Sequence, residues 1–453
     1  MPPPDGHLIK DAGIAFFPES GKLYRVPPLA VDALCAWLAG TGPLPPEGAA
    51  MAAEAERSPA PPVIGSAIRE VSSLCLYTAH DCNLACAYCY NQRGRATKPF
   101  AMMSLATAQA AIDRFFYRPS VSYALALYGG EPLLNTGLIR PLVDYVAHLR
   151  QERGIHISLS TTTNGTVMNR ELLQLLAQHF SSVTISLDGP AAINDLHRRY
   201  ARSEGSGAHD RAVATIRLLK EQTGLRVTVK GTLTAQGLPH YRESLAYLRS
   251  LGADAASLDP VFAPAGDDWA LSDEEFAQYV VMQAEDAAAD LDDPEERQRP
   301  WQEYTFQIVA GLISKRRLLR HCNMGCDPAV MADGSVYACH GLAGEPAFHM
   351  GPVEAADDPD FHRLHAECSA LDIRSIDDCA VCWARYLCGG GCYANAWFQS
   401  GSLRRSDTRH CLLFKAVAER VIPAFVATMT DPSKAKALLK KMRAPLTSPQ
   451  AHA

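Results

Sequence analysis

The chain lacks any apolar run long enough to span a bilayer as a helix, which excludes a protein built on helical membrane spans. Its first residues, Met1-Pro2-Pro3-Pro4-Asp5, hold no basic cluster and no apolar core, so no secretory leader is expected. It also lacks an excess of positive charge. Lys and Arg number 43 against 49 Asp and Glu, a net charge of −6, which implies no general affinity for nucleic acid or for an anionic membrane. The cytoplasm is the expected compartment.

Cysteine, by contrast, is plentiful. Fourteen cysteines in 453 residues with no export signal argue for metal ligands rather than disulfides. A hydrophobic share of 47% is ample for a large core and for two or three domains.

Read in order, residues 7–40 form a small strand-helix unit. His7–Phe17 and Leu23–Val26 read as strands around the turn Pro18-Glu19-Ser20-Gly21-Lys22, and Val31–Leu38 has helical apolar spacing. Residues 41–65 are rich in Pro, Ala and Gly and read as a linker. From Ser72 strands and helices alternate. Strands are expected at 72–79, 122–128, 155–161, 182–187, 226–232 and 256–262, with helices near 104–117, 137–152, 169–179, 208–222 and 238–251. Six βα repeats point to an α/β fold, a partial parallel barrel two strands short of the closed eight-stranded form. Ser272-Asp273-Glu274-Glu275 is a capping box opening a helix to about Leu291, and the acidic run 292–296 reads as a solvated bend. A helix over about Gln302–Leu319 leads to the cysteine-rich region, and one more helix follows Cys411. The tail Lys434–Ala453 is expected to be disordered beyond its first turns. The expected divisions are 1–66, 67–315, 316–415 and 416–453.

Three stretches carry chemistry. Cys82, Cys86 and Cys89, spaced C-x3-C-x2-C after the first barrel strand, suit a 4Fe-4S cube in which one iron has no protein ligand. That iron can chelate the amino and carboxylate groups of S-adenosylmethionine (SAM). A zinc loop is the bland alternative, although zinc more often takes four ligands in paired CxxC spacing. Tyr128-Gly129-Gly130-Glu131-Pro132 ends the second strand. Its glycines allow close backbone approach, and its carboxylate can accept a hydrogen bond from an ammonium group. Towards the C-terminus come Cys322, Cys326, Gly334 and Cys339, then Cys379-x2-Cys382-x5-Cys388-x3-Cys392, then Cys411. A zinc ribbon is the alternative there.

The first cysteine motif closely resembles the radical SAM superfamily, and Gly129-Gly130-Glu131-Pro132 resembles its GGEP motif, which holds the methionine amino group of SAM. The resemblance implies further SAM contacts at Tyr88, beside the last cysteine, and at Asn164, Ser186, Asp188 and Arg198, with Arg199 an alternative to Arg198. The C-terminal pattern resembles the SPASM extension, which holds two auxiliary clusters. It implies Cys322, Cys339 and Cys392 for the first and Cys379, Cys382, Cys388 and Cys411 for the second, with Cys326 an open choice for the first. The implied cofactors are SAM and three 4Fe-4S clusters. Cys35, Cys75 and Cys368 are left over and read as buried free thiols.

Several stretches, among them Lys230-Gly231-Thr232-Leu233-Thr234 and Cys388-Gly389-Gly390-Gly391-Cys392, resemble maturases that form thioether cross-links in ribosomal peptides, of the SCIFF type and of the quinohemoprotein amine dehydrogenase type. The resemblance implies a 5′-deoxyadenosyl radical that takes hydrogen from a peptide carbon, to which a peptide cysteine sulfur then bonds. It implies as partners a cysteine-containing precursor peptide and an external one-electron reductant of the flavodoxin or ferredoxin type. The N-terminal unit resembles a trimmed leader-peptide-binding domain; a strand pair capping the barrel is the alternative. Formylglycine formation, as in sulfatase maturases, is a second possible activity, although those enzymes carry aspartate where this chain has His340. A non-catalytic Fe-S electron carrier is a third reading, against which the SAM-pocket residues Glu131 and Asp188 count.

Overall fold

The computed structural model describes residues 6–43, 63–64, 70–89, 101–119, 121–202, 207–261, 267–291, 302–355 and 358–443, with six positions between 45 and 53. Most of the expected linker, Tyr90, Glu204-Gly205-Ser206, the acidic run 292–296 and the tail 444–453 lie outside the described residues. The chain divides into two compact units. The first comprises Met1–Ala67, Phe276–Cys322 and Ala370–Leu446, the second Ile68–Glu275, Asn323–Ser369 and Thr447–Ala453. Among the described residues no helix is long and apolar enough to cross a membrane.

In the first unit, β1 (His7–Ile9), β2 (Ile14–Phe17) and β3 (Lys22–Arg25) form an antiparallel sheet. The sequence led us to expect one strand over His7–Phe17. The structure breaks it, because Gly13 at φ 58° takes a left-handed turn and folds β2 back on β1. Leu8, Ala15, Phe17, Leu34 and Trp37 pack into one core with the helix Val31–Leu38. Each such large side chain stabilises by about 1.5–3 kcal/mol when fully buried. Within the expected linker, β4 (Val63–Ile64) pairs in parallel with β11 (Arg317–Leu318). The helix expected to reach Leu319 ends at Ser314, where Lys315 turns left-handed at φ 50°. The last long helix starts before Cys411 rather than after it. Asp407 accepts the His410 N–H at 3.0 Å and caps Thr408–Thr430. A second helix, Pro432–Arg443, follows it and includes the first turns of the tail, whose remainder lies outside the described residues.

In the second unit, β5 (Ser73–Ala79), β6 (Ser122–Gly129), β7 (His156–Thr163), β8 (Phe180–Ser186), β9 (Arg226–Leu233) and β10 (Ala255–Pro260) lie side by side in chain order, all parallel. The helices between them hold where the apolar spacing placed them. Leu105–Phe115, for example, starts at Ser104, whose hydroxyl accepts the Thr107 N–H at 3.0 Å, and buries Ala108, Ala111, Ile112 and Phe115. Along β9 the alternate residues Val227, Val229, Gly231 and Leu233 are buried. On the free edge of β5, β12 (Ala329–Val330) pairs in parallel, and β13 (Ser335–Tyr337) and β14 (His349–Pro352) continue the sheet antiparallel. The barrel is therefore open, and the cysteine-rich region extends one edge of its sheet. Those strands escaped the sequence because two to four residues are too short to show a period.

Candidate active site

Two glycines set the geometry where β5 and β6 end. An added Cβ on Gly129 would stand 2.2 Å from the Ala79 carbonyl oxygen, and one on Gly130 would stand 2.3 Å from that of Asp81. The bare backbones instead bond, Gly130 N–H to the Ala79 carbonyl at 2.8 Å and Glu131 N–H to the Asp81 carbonyl at 2.8 Å. The close approach is thus to the chain leading into Cys82. Asp81 accepts the Cys82 N–H at 2.8 Å. The loop is tied on its other side to residues 197–201. Ala85 N–H donates to the Arg199 carbonyl, Ala87 N–H to that of His197, and Ala201 N–H to that of Asn83. Cys89 N–H closes on the Cys86 carbonyl at 3.0 Å.

The three thiols are half-buried. Burial pushes Cys82 up to about 12, opposed in part by the Leu84 N–H, and pushes Cys86 up to about 11, opposed in part by Arg198. Three thiols on one tightly pinned loop suit an iron cluster, because coordination by cationic metal would hold them as thiolates. The donor set fits a 4Fe-4S cluster with three protein ligands.

Glu131 is fully buried at the start of the turn Pro132–Leu134. Its carboxylate accepts from the Thr163 hydroxyl at 2.6 Å, the Leu133 N–H at 3.0 Å and the Asn164 N–H at 2.7 Å. Burial nevertheless raises its carboxyl to about 7. Glu131 therefore fixes the end of β7 from inside the protein, a role that its motif alone did not show. Asn164, held there, reaches the Cys82 sulfur with its side-chain amide at 3.7 Å and Asn83 Oδ1 at 2.9 Å. Pro132 is buried, and its carbonyl accepts from the Thr78 hydroxyl at 3.3 Å.

Beyond β8, Ser186 is half-buried and Asp188 is 2% exposed. Asp188 accepts from the Thr232 N–H at 2.8 Å, pairs with Arg198 Nε at 3.0 Å, and accepts the Tyr88 hydroxyl. The Arg198 guanidinium also lies 5.5 Å from the Tyr88 ring centre. Tyr88, Asp188 and Arg198 thus form one cluster against the loop of Cys86 and Cys89. Arg199 points out to solvent, with its Nε on the Asp195 carbonyl. Nothing at sequence level separated these neighbouring arginines.

The C-terminal cysteines fall in both units. In the first, Cys379, Cys382, Cys388 and Cys411 come within one another's electrostatic reach. Burial, then Cys411 and Cys382, raise Cys379 to about 12, and burial pushes Cys388 well above the thiol range. His410 places Nε2 3.2 Å from the Cys388 sulfur. It was missed, although its place beside Cys411 in sequence was a usable signal. Cys322 and Cys392 also belong to the first unit, within electrostatic reach of each other. Cys326 and Cys339 belong to the second. Cys326 is buried, with its sulfur 3.5 Å from the Ser369 hydroxyl. Tyr77, on β5, donates its hydroxyl to the His340 carbonyl at 3.1 Å. Cys75 and Cys368 are buried, and Cys35 is half-buried.

The profile of the Radical SAM superfamily matches residues 76–250, which hold the three-thiol loop, Glu131, Asp188 and Arg198. An uncharacterised protein of Methanocaldococcus jannaschii is 30% identical over 41% of this chain and 61% of its own length. An AdoMet-dependent heme synthase of Oleidesulfovibrio alaskensis is matched over 41% of its length, so the chain spans less than two thirds of each of these two relatives. A serine-type anaerobic sulfatase-maturating enzyme of Klebsiella aerogenes is 25% identical over 69% of this chain and 77% of its own. Among solved structures, anSMEcpe with bound AdoMet superposes at TM-score 0.66 and 19% identity, covering 81% of this chain and 98% of that one. Streptococcus suis SuiB bound to precursor peptide SuiA superposes at 0.51 and 14% identity, covering 89% and 97%. These likenesses fix the fold, a radical SAM α/β fold. Such a domain works with a 4Fe-4S cluster and SAM, and residues 76–250 are therefore a radical SAM domain, in a chain whose relatives include sulfatase maturases.

Proposed function

We propose that this enzyme modifies a ribosomally made peptide or protein by joining a cysteine sulfur to a carbon as a thioether. The observation that carries the choice is His340, which follows Cys339 where sulfatase maturases have an aspartate. The relatedness to sulfatase maturases favours formylglycine formation as the second reading.

A 4Fe-4S cluster held by Cys82, Cys86 and Cys89 would supply one electron to SAM, whose cleavage would supply a primary carbon radical. The chain's own residues prepare that event. Cys82, Cys86 and Cys89 ligate three irons. The backbone at Gly129 and Gly130 and the frame built on Glu131 hold the SAM amino group at the strand ends, with Pro132 and Asn164 completing that wall. Arg198, tethered to Asp188, presents its cation to the SAM carboxylate, and Ser186 and Asp188 face the ribose. Tyr88 packs under that pair. The balance for the substrate is one hydrogen atom to the carbon radical, one proton to solvent and one electron to an acceptor, as the C–H and S–H bonds give way to C–S. Cys379, Cys382, Cys388 and Cys411 hold one auxiliary cluster. Cys322 and Cys392 serve the other. The β1–β3 sheet receives a leader segment as an added strand, and a flavodoxin or ferredoxin supplies electrons.

The test is anaerobic co-expression with small cysteine-containing peptides encoded nearby, followed by mass spectrometry. The expected product has lost a pair of hydrogens and one alkylatable thiol. An aldehyde that reacts with hydrazides would instead establish formylglycine formation.

A further inference from the structure

The strands that end at Gly129 and Thr163 have a concavity at their other ends. It is a cleft of about 330 Å³ where β6 and β7 begin, walled by the helices Thr136–Arg153 and Arg170–His179. In barrels of parallel strands the chemistry sits at the opposite, C-terminal face, so the radical site does not account for this cleft. Its floor is apolar and buried, formed by Tyr123, Val143, Val146 and Leu159. Its rim is polar and exposed, formed by Arg150, His156, Gln178 and His179. No carboxylate is among the described residues that line it. Among the described residues, no hydrogen bond or ion pair takes up the Arg150 guanidinium. Basic side chains are ordinary in the last turn of a helix, but Arg153, in that same turn, is held by Asp113 at 3.0 Å and does not line the cleft. His156 opens β7 and belongs to no helix. An open cation above an apolar floor, with two imidazoles on the same rim, has the make-up of a small-molecule pocket: mostly apolar walls and a few convergent polar groups.

We propose that this cleft binds a small organic anion, one carboxylate or phosphate on a compact apolar body. The Arg150 guanidinium offers a planar fork that matches either head group with two parallel N–H bonds. His156, Gln178 and His179 can donate further N–H bonds from the same rim. The body rests on Tyr123, Val143, Val146 and Leu159, and the volume, at the lower end for ligand pockets, limits it to a single ring or a short aliphatic chain. A bare inorganic anion would leave the floor wet, and a neutral apolar molecule would leave Arg150 without a partner, so the ligand must supply both halves. The site is separate from that of SAM. The eight-residue strands β6 and β7 run between the two, a span of about 25 Å. It is also independent of which bond the enzyme makes in its substrate.

The experiment uses the reconstituted full chain with saturating SAM, so that the radical site is filled. Phenyl phosphate and benzoate are the probes, read by equilibrium dialysis and by the rise in melting temperature that a ligand of the folded state produces. At least one of them should bind with a dissociation constant of about 1 mM or below, and the tighter of the two assigns the head group. Inorganic phosphate and benzyl alcohol, which each lack one half, should bind at least tenfold more weakly than that probe. Arg150→Glu reverses the charge of the rim, and Ala147→Trp fills the cleft from an exposed position on the helix Thr136–Arg153. Each should weaken the probe at least tenfold, while the ligand-free melting temperature and dithionite-driven SAM cleavage stay at the parent's values. Failure of both probes to bind at about 10 mM overturns the proposal. So does binding that both variants leave unchanged, which would put the probe elsewhere on the chain. A dimer of the parent, measured by light scattering, that Ala147→Trp dissociates while neither probe binds would overturn it too, and make the cleft an interface between copies.

Discussion

Arg198 and Arg199 are adjacent in sequence and opposite in surroundings. Arg198 is buried on Asp188, and Arg199 is exposed. Removing one partner of a buried ion pair leaves the other charge uncompensated and costs about 3–5 kcal/mol. Arg198→Ala should therefore lower the melting temperature sharply and abolish SAM cleavage, while Arg199→Ala should stay within about 0.5 kcal/mol of the parent, as surface changes do. Equal effects in the two variants would remove Arg198 from the site. Glu131 makes a prediction in pH. Its carboxyl lies near 7 in the fold against an ordinary 4.5, so the folded chain binds this proton more tightly than the unfolded one. The stabilisation it gives is complete below pH 4.5 and is lost as pH rises through 7, at most about 3 kcal/mol for such a shift. Melting temperature should fall across that window, and Glu131→Gln should remove that part of the slope. A slope unchanged in the variant would mean that another group titrates there.

At the scale of elements, the ends of β5 and β6 meet only because Gly129 and Gly130 carry no side chain. Gly130→Ala places a carbon 2.3 Å from the Asp81 carbonyl oxygen, so the strand end must move and the loop of Cys82 with it. The expected result is a folded protein by circular dichroism with about a third less iron, the share of one cluster in three. A full iron complement would show that the loop tolerates the shift. The β1–β3 sheet has a comparable lever in Glu19, in the turn before β3. Its carboxylate binds Arg385 at 2.7 Å, Arg317 at 2.9 Å and the Tyr386 hydroxyl at 2.8 Å. Arg385 is 7% exposed and also donates to the Cys382 carbonyl at 2.8 Å. His7, on β1, stacks on Trp383 with ring centres 3.9 Å apart. The sheet is thus joined to the cysteine loop 379–388 of its own unit. Glu19→Gln weakens a charge-assisted bond worth about 1.5–3 kcal/mol, and should lower the thermal stability together with iron retention at the four-thiol site. Loss of peptide binding alone, with stability intact, would make Glu19 a substrate contact instead.

At the scale of the whole molecule, eleven cysteines assigned to three clusters imply about twelve irons per chain after anaerobic reconstitution. Replacing Cys82, Cys86 and Cys89 together by Ala should remove about a third of that iron and all production of 5′-deoxyadenosine. Persistent SAM cleavage in the triple variant would refute the assignment of the radical site. Its distance along the chain from Cys322–Cys411 makes the losses separable, since the three-thiol loop belongs to the second unit and Cys379, Cys382, Cys388 and Cys411 to the first.

The six parallel strands and their helices were legible because each repeat shows its own apolar period over eight or more residues, as in His156–Thr163 and His209–Gln222. The cysteine spacings were legible for a related reason, since a cube must be gripped from a short loop whatever lies around it. That Arg198 is buried and its neighbour exposed was a tertiary outcome, because it depends on Asp188, ten residues away and outside the helix that Arg198 ends. So was the work of Glu131, whose partners come from the end of a strand thirty-odd residues on. The extension of the sheet by β12–β14 and the joining of the first residues to the loop 379–388 were likewise beyond local pattern. Two-residue strands and a single His-on-Trp stack have no period to read, and they exist only because distant segments supply the surfaces that bury them.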